Sequence, residues 1–490
     1  MTEQSLQRRA LWWTAAVFGA ASLAYGVIAQ GFLLGDSCTH YLMARAAFDE
    51  PRFFFHVWGR PVCTGLYAVP ALIAGRAGVR VLSTLIALGI AWLTMEVARG
   101  QKQRAPVLAF MFVLGQPILF LHSFSELTEL PFALLMAVAL LAYQRRAWAV
   151  FALACALSPA SRPEGFGVLL LAAVALVLHR SWAVVLLPLP LVGWTLGGAL
   201  VTHFNGPWWR WLPENWPYSA QSAYAAGSPF KFIALLPVVT SPFAIFPTLL
   251  GWWATWRETF AAKLRGLWGD NAEAHHRRVA MIIAGFPLGI LAVHSLLYWK
   301  GKMASNGELR YLLVATPMWA LLASAGCSWF IERFSLRKVL LVVGALLVVP
   351  FLTPTFHSFV PYTWERDWAE ARDLAAWYQA TPQRAEYPRL MNSHVGVEYF
   401  LGGVSAVCGG VKWTRANVES NPRGTMAFWN SNYGPTNADT NMAITAEQFL
   451  DAGWVEQPWP LGEVRKMEDG SPAWRLFFSA QPMSLDGGTP

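Results

Sequence analysis

Four stretches of this 490-residue chain gather side chains that can move protons or hold anions. The first opens Gly35-Asp36-Ser37-Cys38-Thr39-His40 and continues through Asp49-Glu50-Pro51 to His56-Val57-Trp58-Gly59-Arg60-Pro61. The second is His122-Ser123-Phe124-Ser125-Glu126-Leu127-Thr128-Glu129-Leu130-Pro131. Ser161-Arg162-Pro163-Glu164-Gly165 and Gly307-Glu308-Leu309-Arg310-Tyr311 complete the set. A carboxylate can take a proton from a hydroxyl, and a guanidinium can grip a phosphate through two parallel hydrogen bonds. Beside long apolar runs, such groups are costly unless they are used.

Each stretch also has a plainer reading, which stays open at this level. Asp36 suits the N-cap of a helix lying on the membrane surface, with His40 one turn further on. Glu126 and Glu129 suit the first turn of a helix, where acids complement the dipole. Arg162 and Glu164 suit a turn closed by its own ion pair, and Arg310 a helix end. His122 and His203 read as interface residues. The run Trp208-Trp209-Arg210-Trp211 reads as part of an interfacial aromatic belt.

The elements that must carry these residues are membrane spans. Apolar residues make up 55% of the chain and charged ones 13%, against roughly 25% charged in ordinary globular proteins. The 26 Trp and 30 Phe suit many helix ends anchored among headgroups. The formal charge of +8 sits in short clusters between apolar runs, which excludes a nucleic-acid binder. A span needs about 20 apolar residues. Runs near 11–34, 79–98, 106–121, 127–144, 147–159, 165–178, 182–202, 232–254, 279–299, 311–331 and 339–356 predict about eleven transmembrane helices. The fifth and sixth are short, which predicts a kink or a polar pocket at their junction.

Alternate loops carry the bases: Arg8/Arg9, Arg99/Lys102/Arg104, Arg145/Arg146, Arg180, 257–278 and Arg333/Arg337/Lys338. The positive-inside rule then sets the N-terminus in the cytoplasm and the C-terminus outside. All four polar stretches fall on the outer face. The first outer loop, 35–80, is far longer than a connection requires, which marks it as functional. Residues 1–356 form the membrane domain. Residues 357–490 lack any spanning run and predict a small extracytoplasmic α/β domain. In it, Arg389 to Gly402 reads as a strand entering a short helix, Thr445 to Ala452 as a capped helix, and Ala473 to Phe478 as a late strand. Cys38 and Cys63 share the outer loop, where a disulfide could tie its two amphipathic helices.

The order and sidedness of these stretches resemble the GT-C superfamily of membrane glycosyltransferases, such as protein O-mannosyltransferases and aminoarabinose transferases. The resemblance covers roughly 1–356. It implies a GT-C-like helical fold and sugar transfer from a polyprenyl-phosphate donor to an acceptor glycan, lipid or protein hydroxyl. The reaction would take place at the outer face of the inner or plasma membrane. It puts Asp36 in the general-base role and makes Arg310, then Arg60 and Arg162, the phosphate ligands. Glu126, Glu129, Glu164, Asp49 and Glu50 are the further acidic candidates, and His40, His56, Trp58 and Tyr311 the substrate contacts. Several relatives pair two neighbouring carboxylates in the first loop, sometimes with a divalent metal. Here Asp36 is followed by Ser37 and Cys38, and no metal ligand is assigned. If Asp36, Glu126 and Glu129 met, their hard oxygens would suit Mg²⁺ or Mn²⁺. A transporter or lipid flippase is the competing class, yet the span centres carry almost no charge and no inverted repeat is visible. A non-catalytic scaffold is the other.

Overall fold

In the computed structural model of the chain, residues 2–31, 35–216, 226–261, 271–303, 305–352, 363–403, 411–435 and 443–483 are described. The chain divides into two compact units, Met1–Phe32 with Glu50–Tyr362, and Leu33–Asp49 with Thr363–Pro490. The division differs from a simple cut at residue 356. The front of the first loop belongs with the C-terminal residues, not with the bundle.

The first unit is a helical bundle. It contains α1 (Glu3–Ile28), α3 (Pro61–Gly100), α4 (Pro106–Leu114), α5 (Pro117–His122), α6 (Glu129–Gln144), α7 (Trp148–Leu157), α8 (Gly165–Leu178) and α9 (Leu189–Val201), α2 being the loop helix Asp36–Ala46 of the second unit. The short α10 (Trp211–Glu214), α11 (Lys231–Ala234) and α12 (Leu236–Thr240) lead to α13 (Pro242–Ala261), α14 (Ala272–Lys300), α15 (Thr316–Arg333) and α16 (Leu336–Leu352). Proline at the first helical position opens α3, α4 and α5, where its missing N–H costs nothing. Gly115 and Pro117 split the run 106–121 into two helices, because proline cannot continue an α-helical ladder.

Among the described residues, five helical stretches are long and apolar enough to cross a membrane: Glu3–Ile28, Pro61–Gly100, Trp182–Val201, Ala272–Lys300 and Leu309–Arg333. The shorter α6, α7 and α8 are apolar too. The α15 stretch is central and largely buried, whereas α1 shows most of its surface. Leu170, Leu171, Val174, Val177 and Leu178 of α8 all face outward, an apolar surface suited to lipid. The chain is a multi-pass membrane protein.

One boundary moved. The expected loop 35–80 is helical from Pro61, and α3 runs on for 40 residues with a break at Ala74 and Gly75, whose φ/ψ are non-helical. Polar residues in that segment masked the helix, since Arg76 and Arg80 reach inward rather than to solvent.

The second unit holds a four-stranded mixed sheet in the order β1-β2-β4-β3, with β1 Arg389–Asn392, β2 Thr425–Asn430, β3 Val455–Gln457 and β4 Trp474–Phe478. β1 runs parallel to β2, and the other pairs are antiparallel. Side chains alternate across β2: Met426 and Phe428 join Leu374, Tyr378 and Val397 in one core. Ala427 and Trp429 join Phe449 and Trp454 in the other. The expected strands at 389 and 473 and the capped helix, Ala446–Asp451 with its Thr445/Gln448 box, are present.

Candidate active site

The acidic turn between α5 and α6 lies wholly inside the bundle, so its backbone must find internal partners. α3 supplies them. Ser83 Oγ donates to Ser125 O at 2.6 Å, Thr84 Oγ1 to Ser123 O at 3.1 Å, and Tyr67 Oη to Leu127 O at 2.9 Å. Ser22 of α1 shares hydroxyl bonds with Thr84 and Ser123.

Two carboxylates hang from this turn, and they do different things. Glu126 is fully buried and receives Arg76 Nε at 2.7 Å and Arg80 Nε at 2.9 Å. Arg80 Nη1 also donates to Gly26 O at 2.5 Å and Ala29 O at 3.3 Å, carbonyls at the end of α1. Glu126 therefore ties α1, α3 and the turn together. Neither arginine was singled out from sequence, although two arginines four residues apart beside an apolar run are a legible signal.

Glu129, 2% exposed, is the hub of a second network. Arg162 Nη1 lies 2.5 Å and Arg310 Nε 3.3 Å from Glu129 Oε1. Arg162 Nη2 also donates to Glu164 Oε1 at 2.9 Å, and its Nη1 to Thr128 Oγ1 at 3.3 Å. Arg310 pairs with Glu308 as well. His294 Nε2 stands 3.6 Å from Glu164, and its ring stacks on Tyr311 with centroids 5.1 Å apart. Arg162 lies 5.4 Å over the same Tyr311 ring, and Tyr311 Oη donates to Asn306 Oδ1 at 2.7 Å. Glu129, Glu164, Arg162, Arg310 and Tyr311 thus meet in one circuit, half-buried around the buried Glu129. His294, Asn306 and Glu308 had no assigned role, yet a lone histidine inside an apolar span is itself a signal.

The local backbone explains how Arg162 gets there. The α7–α8 junction folds back tightly, with Arg162 N bonded to Ser158 O and Gly165 N to Arg162 O, both at 2.9 Å. A Cβ at Gly165 would sit 2.1 Å from the Ser158 carbonyl carbon, so only glycine permits this return. The polar junction expected between the two short spans is this turn.

Two atoms in the circuit's neighbourhood stand out. Glu129 Oε2 and His122 Nε2 are buried without a hydrogen-bond partner among the described residues, and His122 Nδ1 is engaged with Ile118 O at 2.8 Å. His122 lies within electrostatic reach of Glu129, Arg310 and Arg162. Buried polar atoms are nearly always satisfied, so such a pair asks for a polar ligand or water.

Arg60 is buried and caps α3 with φ 64°, donating Nη1 to Val57 O at 2.9 Å. Cys63, one turn on, lies 3.6 Å from Ser161 Oγ and feels Arg60, Glu129 and Arg162 together. Cys38 and Cys63 are both free thiols, so the disulfide between them is not formed. Cys63 instead packs against the turns that carry Glu129 and Arg162, in hydrogen-bond range of Ser161. His56 Nδ1 accepts the Gly59 N–H at 3.1 Å and shapes the turn before α3, with Trp58 half-buried in it. Glu50 pairs with Arg52 at the surface. Trp211 is a core residue donating to Thr202 Oγ1, whereas Trp209 is exposed as a belt residue would be.

Asp36, His40 and Asp49 belong to the second unit. Asp36 is exposed in the first turn of α2, and His40 is buried on that helix. No side-chain cap bond closes α2, whose N-cap is Gly35 at φ 73°. α2 packs on the helix Val395–Phe400, with Tyr41 against Tyr399 at 6.1 Å. A Cβ on Gly35 would lie 3.9 Å from Tyr433 Oη. Burial, then the charges of Asp367, Glu365 and Asp36, push the Tyr433 phenol up to about 12. Asp367 also stands 3.5 Å from His394 Nε2. Burial would raise the Asp367 carboxyl, but His394, the Trp368 N–H and the charge of Arg465 together outweigh it and hold it below the usual range. Burial lifts Glu398 to about 7.

A dication does not fit the carboxylates that sequence offered for one. Glu126 and Glu129 are each held by two guanidinium groups, and no three His, Cys, Asp or Glu among the described residues form a ligand group.

The bundle and its acid–arginine circuit define a polytopic fold with a polar site at one helix end. That fold is similar to ArnT, an aminoarabinose transferase of GT-C type. The crystal structure of ArnT from Cupriavidus metallidurans in the apo state matches with TM-score 0.55 at 13% identity, covering 97% of this chain and 98% of that one. The same protein bound to undecaprenyl phosphate matches with TM-score 0.58 at 13% identity, covering 97% and 99%. No protein-family model and no curated protein matches the sequence.

Proposed function

We propose that the chain transfers a sugar from a polyprenyl-phosphate donor to an acceptor hydroxyl, at the outer face of the inner or plasma membrane. The observation that carries this reading is the Glu129 circuit, in a chain whose fold is similar to a protein crystallised with undecaprenyl phosphate. Such a donor keeps its tail in lipid and needs cationic groups at a helix end to meet its phosphate.

In the reaction, the acceptor oxygen forms a bond to the anomeric carbon while the bond from that carbon to the phosphate oxygen breaks. The electron pair leaves on the phosphate, and Asp36 takes the acceptor proton. Arg310, Arg162 and Arg60 are the proposed phosphate ligands. A guanidinium has five donors, so one can hold a carboxylate and a phosphate together. Glu129, Glu164 and Glu308 act as positioning residues, because they fix the arginines in their rotamers before the ligand arrives. Glu129 Oε2 and His122 Nε2 offer polar contacts for a sugar hydroxyl, and Tyr311, whose ring carries Arg162 and His294, is the proposed aromatic residue of the same circuit. The C-terminal unit carries α2, so the proposed base and the sheet belong to one compact unit.

The test is transfer in vitro, using the purified full-length protein and a panel of polyprenyl-phosphate sugars with a membrane extract as acceptor. Labelled sugar should move to acceptor in a donor-selective way. Translocation of donor without cleavage would overturn the reading in favour of a flippase.

A further inference from the structure

The end of the bundle away from Glu129 is built around Tyr143, at the other end of α6. Tyr143 Oη and His179 Nε2 are 3.0 Å apart, and Trp148 stacks on His179 at 4.5 Å. His275 Nε2 lies 3.0 Å from Tyr143 O and 3.1 Å from Gln144 O. Gln144 Nε2 donates to Val97 O at 3.0 Å. The C-termini of α3, α6 and α8 and the start of α14 are thereby gathered at one end.

All three of those C-termini close the same way. Gln103 N bonds back to Ala98 O, Ala147 N to Ala142 O, and Ser181 N to Leu176 O. The residue before each donor stands in the left-handed region: Lys102 at φ 56°, Arg146 at 57° and Arg180 at 50°. Glycine is the usual residue there, because a Cβ is strained in that conformation. Here each position carries a base, and all three are exposed. The segments 96–104, 144–148, 178–183 and 271–278 hold eight Lys and Arg against two carboxylates, Glu96 and Glu273. Those two are engaged with Arg99, Arg145 and Arg277. Trp182, beside Arg180, is exposed, as a residue at headgroup depth would be.

Orientation in the membrane requires positive charge somewhere on these loops, but it does not require it at left-handed positions. A glycine there with an arginine next to it would meet the topological need without strain. Complementing the helix dipole likewise needs a base only somewhere in the last turn. What the closed motif adds is a fixed backbone beneath each of three bases, at the end of the bundle that also holds the aromatic–histidine cluster.

We propose that Lys102, Arg146 and Arg180 form a preorganised site for the phosphate headgroups of anionic phospholipid in the leaflet this end faces. The proposal does not depend on the sugar-transfer reading.

The test is thermal unfolding of the full-length protein in neutral detergent, titrated with phosphatidylglycerol or phosphatidylcholine. Phosphatidylglycerol should stabilise the native protein and phosphatidylcholine should not. Arg146→Gly with Arg180→Gly should raise the melting temperature without lipid, since strain is relieved. The same pair should weaken the apparent phosphatidylglycerol affinity about 25-fold, or about fivefold per charge (~1 kcal/mol each). Arg146→Lys with Arg180→Lys should keep the lipid response. Arg104→Gln, which removes a charge outside these motifs, should shift affinity less than about twofold. Equal stabilisation by both lipids, or an Arg104 effect as large as that of Arg146, would overturn the site.

Discussion

The two ends of α6 make opposite use of charge. At Glu129 a buried carboxylate is shared by two half-buried arginines, and Glu129 Oε2, His122 Nε2 and His294 Nε2 are left without a hydrogen bond among the described residues. Past Tyr143 the arginines point outward, and their main chain accepts a left-handed strain to do so. Burying a charge is tolerable only when it is paired, so the first end had to be assembled from four separate segments. An exposed base needs no buried counter-charge, and three local helix closures suffice for the second. A buried network can serve chemistry because it is preorganised and shielded. An exposed one can serve only what the surrounding phase brings to it.

The largest expected effect falls outside both ends and separates chemistry from architecture. Asp36→Asn should lower turnover by about 10²–10⁴ with donor binding retained, because asparagine cannot accept the proton. Asp36 is the first residue of α2 and not its N-cap, so the change removes a first-turn charge but no cap. Near-normal turnover in the folded variant would therefore remove Asp36 from the mechanism and leave Glu129 as the leading carboxylate. The next effect is on stability. Glu129→Gln takes the shared anion from Arg162 and Arg310, which keep Glu164 and Glu308, and should cost about 1–3 kcal/mol, read as a lower unfolding midpoint. If the midpoint hardly moves, the circuit is not a structural unit and the contrast between the two ends collapses.

Arg310→Ala should weaken donor binding about 10- to 100-fold, the range for hydrogen bonds to a charged group, and lysine should restore only part of it. Unchanged binding in a direct donor titration would move the phosphate to Arg162 or Arg60. The smallest effect concerns Glu398, whose carboxyl is raised to about 7 by burial. A raised acid is stabilising while protonated, so its contribution is complete below about pH 4 and is lost as pH climbs towards 7. Glu398→Gln should flatten that decline, by roughly 1–3 kcal/mol, in unfolding midpoints compared at pH 5 and pH 8. A variant with the same pH profile as the parent would show that Glu398 titrates normally.

The sequence by itself determined the class of the molecule. Apolar run length, sparse charge and abundant tryptophan follow from the bilayer as solvent, and each is a local property of the chain. The same holds for the four polar stretches and for the polar junction at Arg162-Pro163-Glu164, since a break between two short apolar runs is visible without any contact. The strands at Arg389 and Trp474 were legible as short apolar runs, and the helix after Thr445 from its cap and the closing Gly453. What only the tertiary structure decided is which charges pair. Glu126 and Glu129 are three residues apart and look equivalent, yet one takes Arg76 and Arg80 and the other Arg162 and Arg310. Those partners lie from 33 to 50 residues away for the three pairs within hydrogen-bond range, and Arg310 is further still. Pairing over such distances depends on helix packing, and no local pattern encodes it. The start of α3 at Pro61 was hidden for the same reason, because an arginine that will be buried against a distant glutamate reads, in sequence, like one that faces water. The grouping of α2 with the C-terminal sheet rests on contacts such as Tyr41 with Tyr399, whose residues are brought together only when the chain folds.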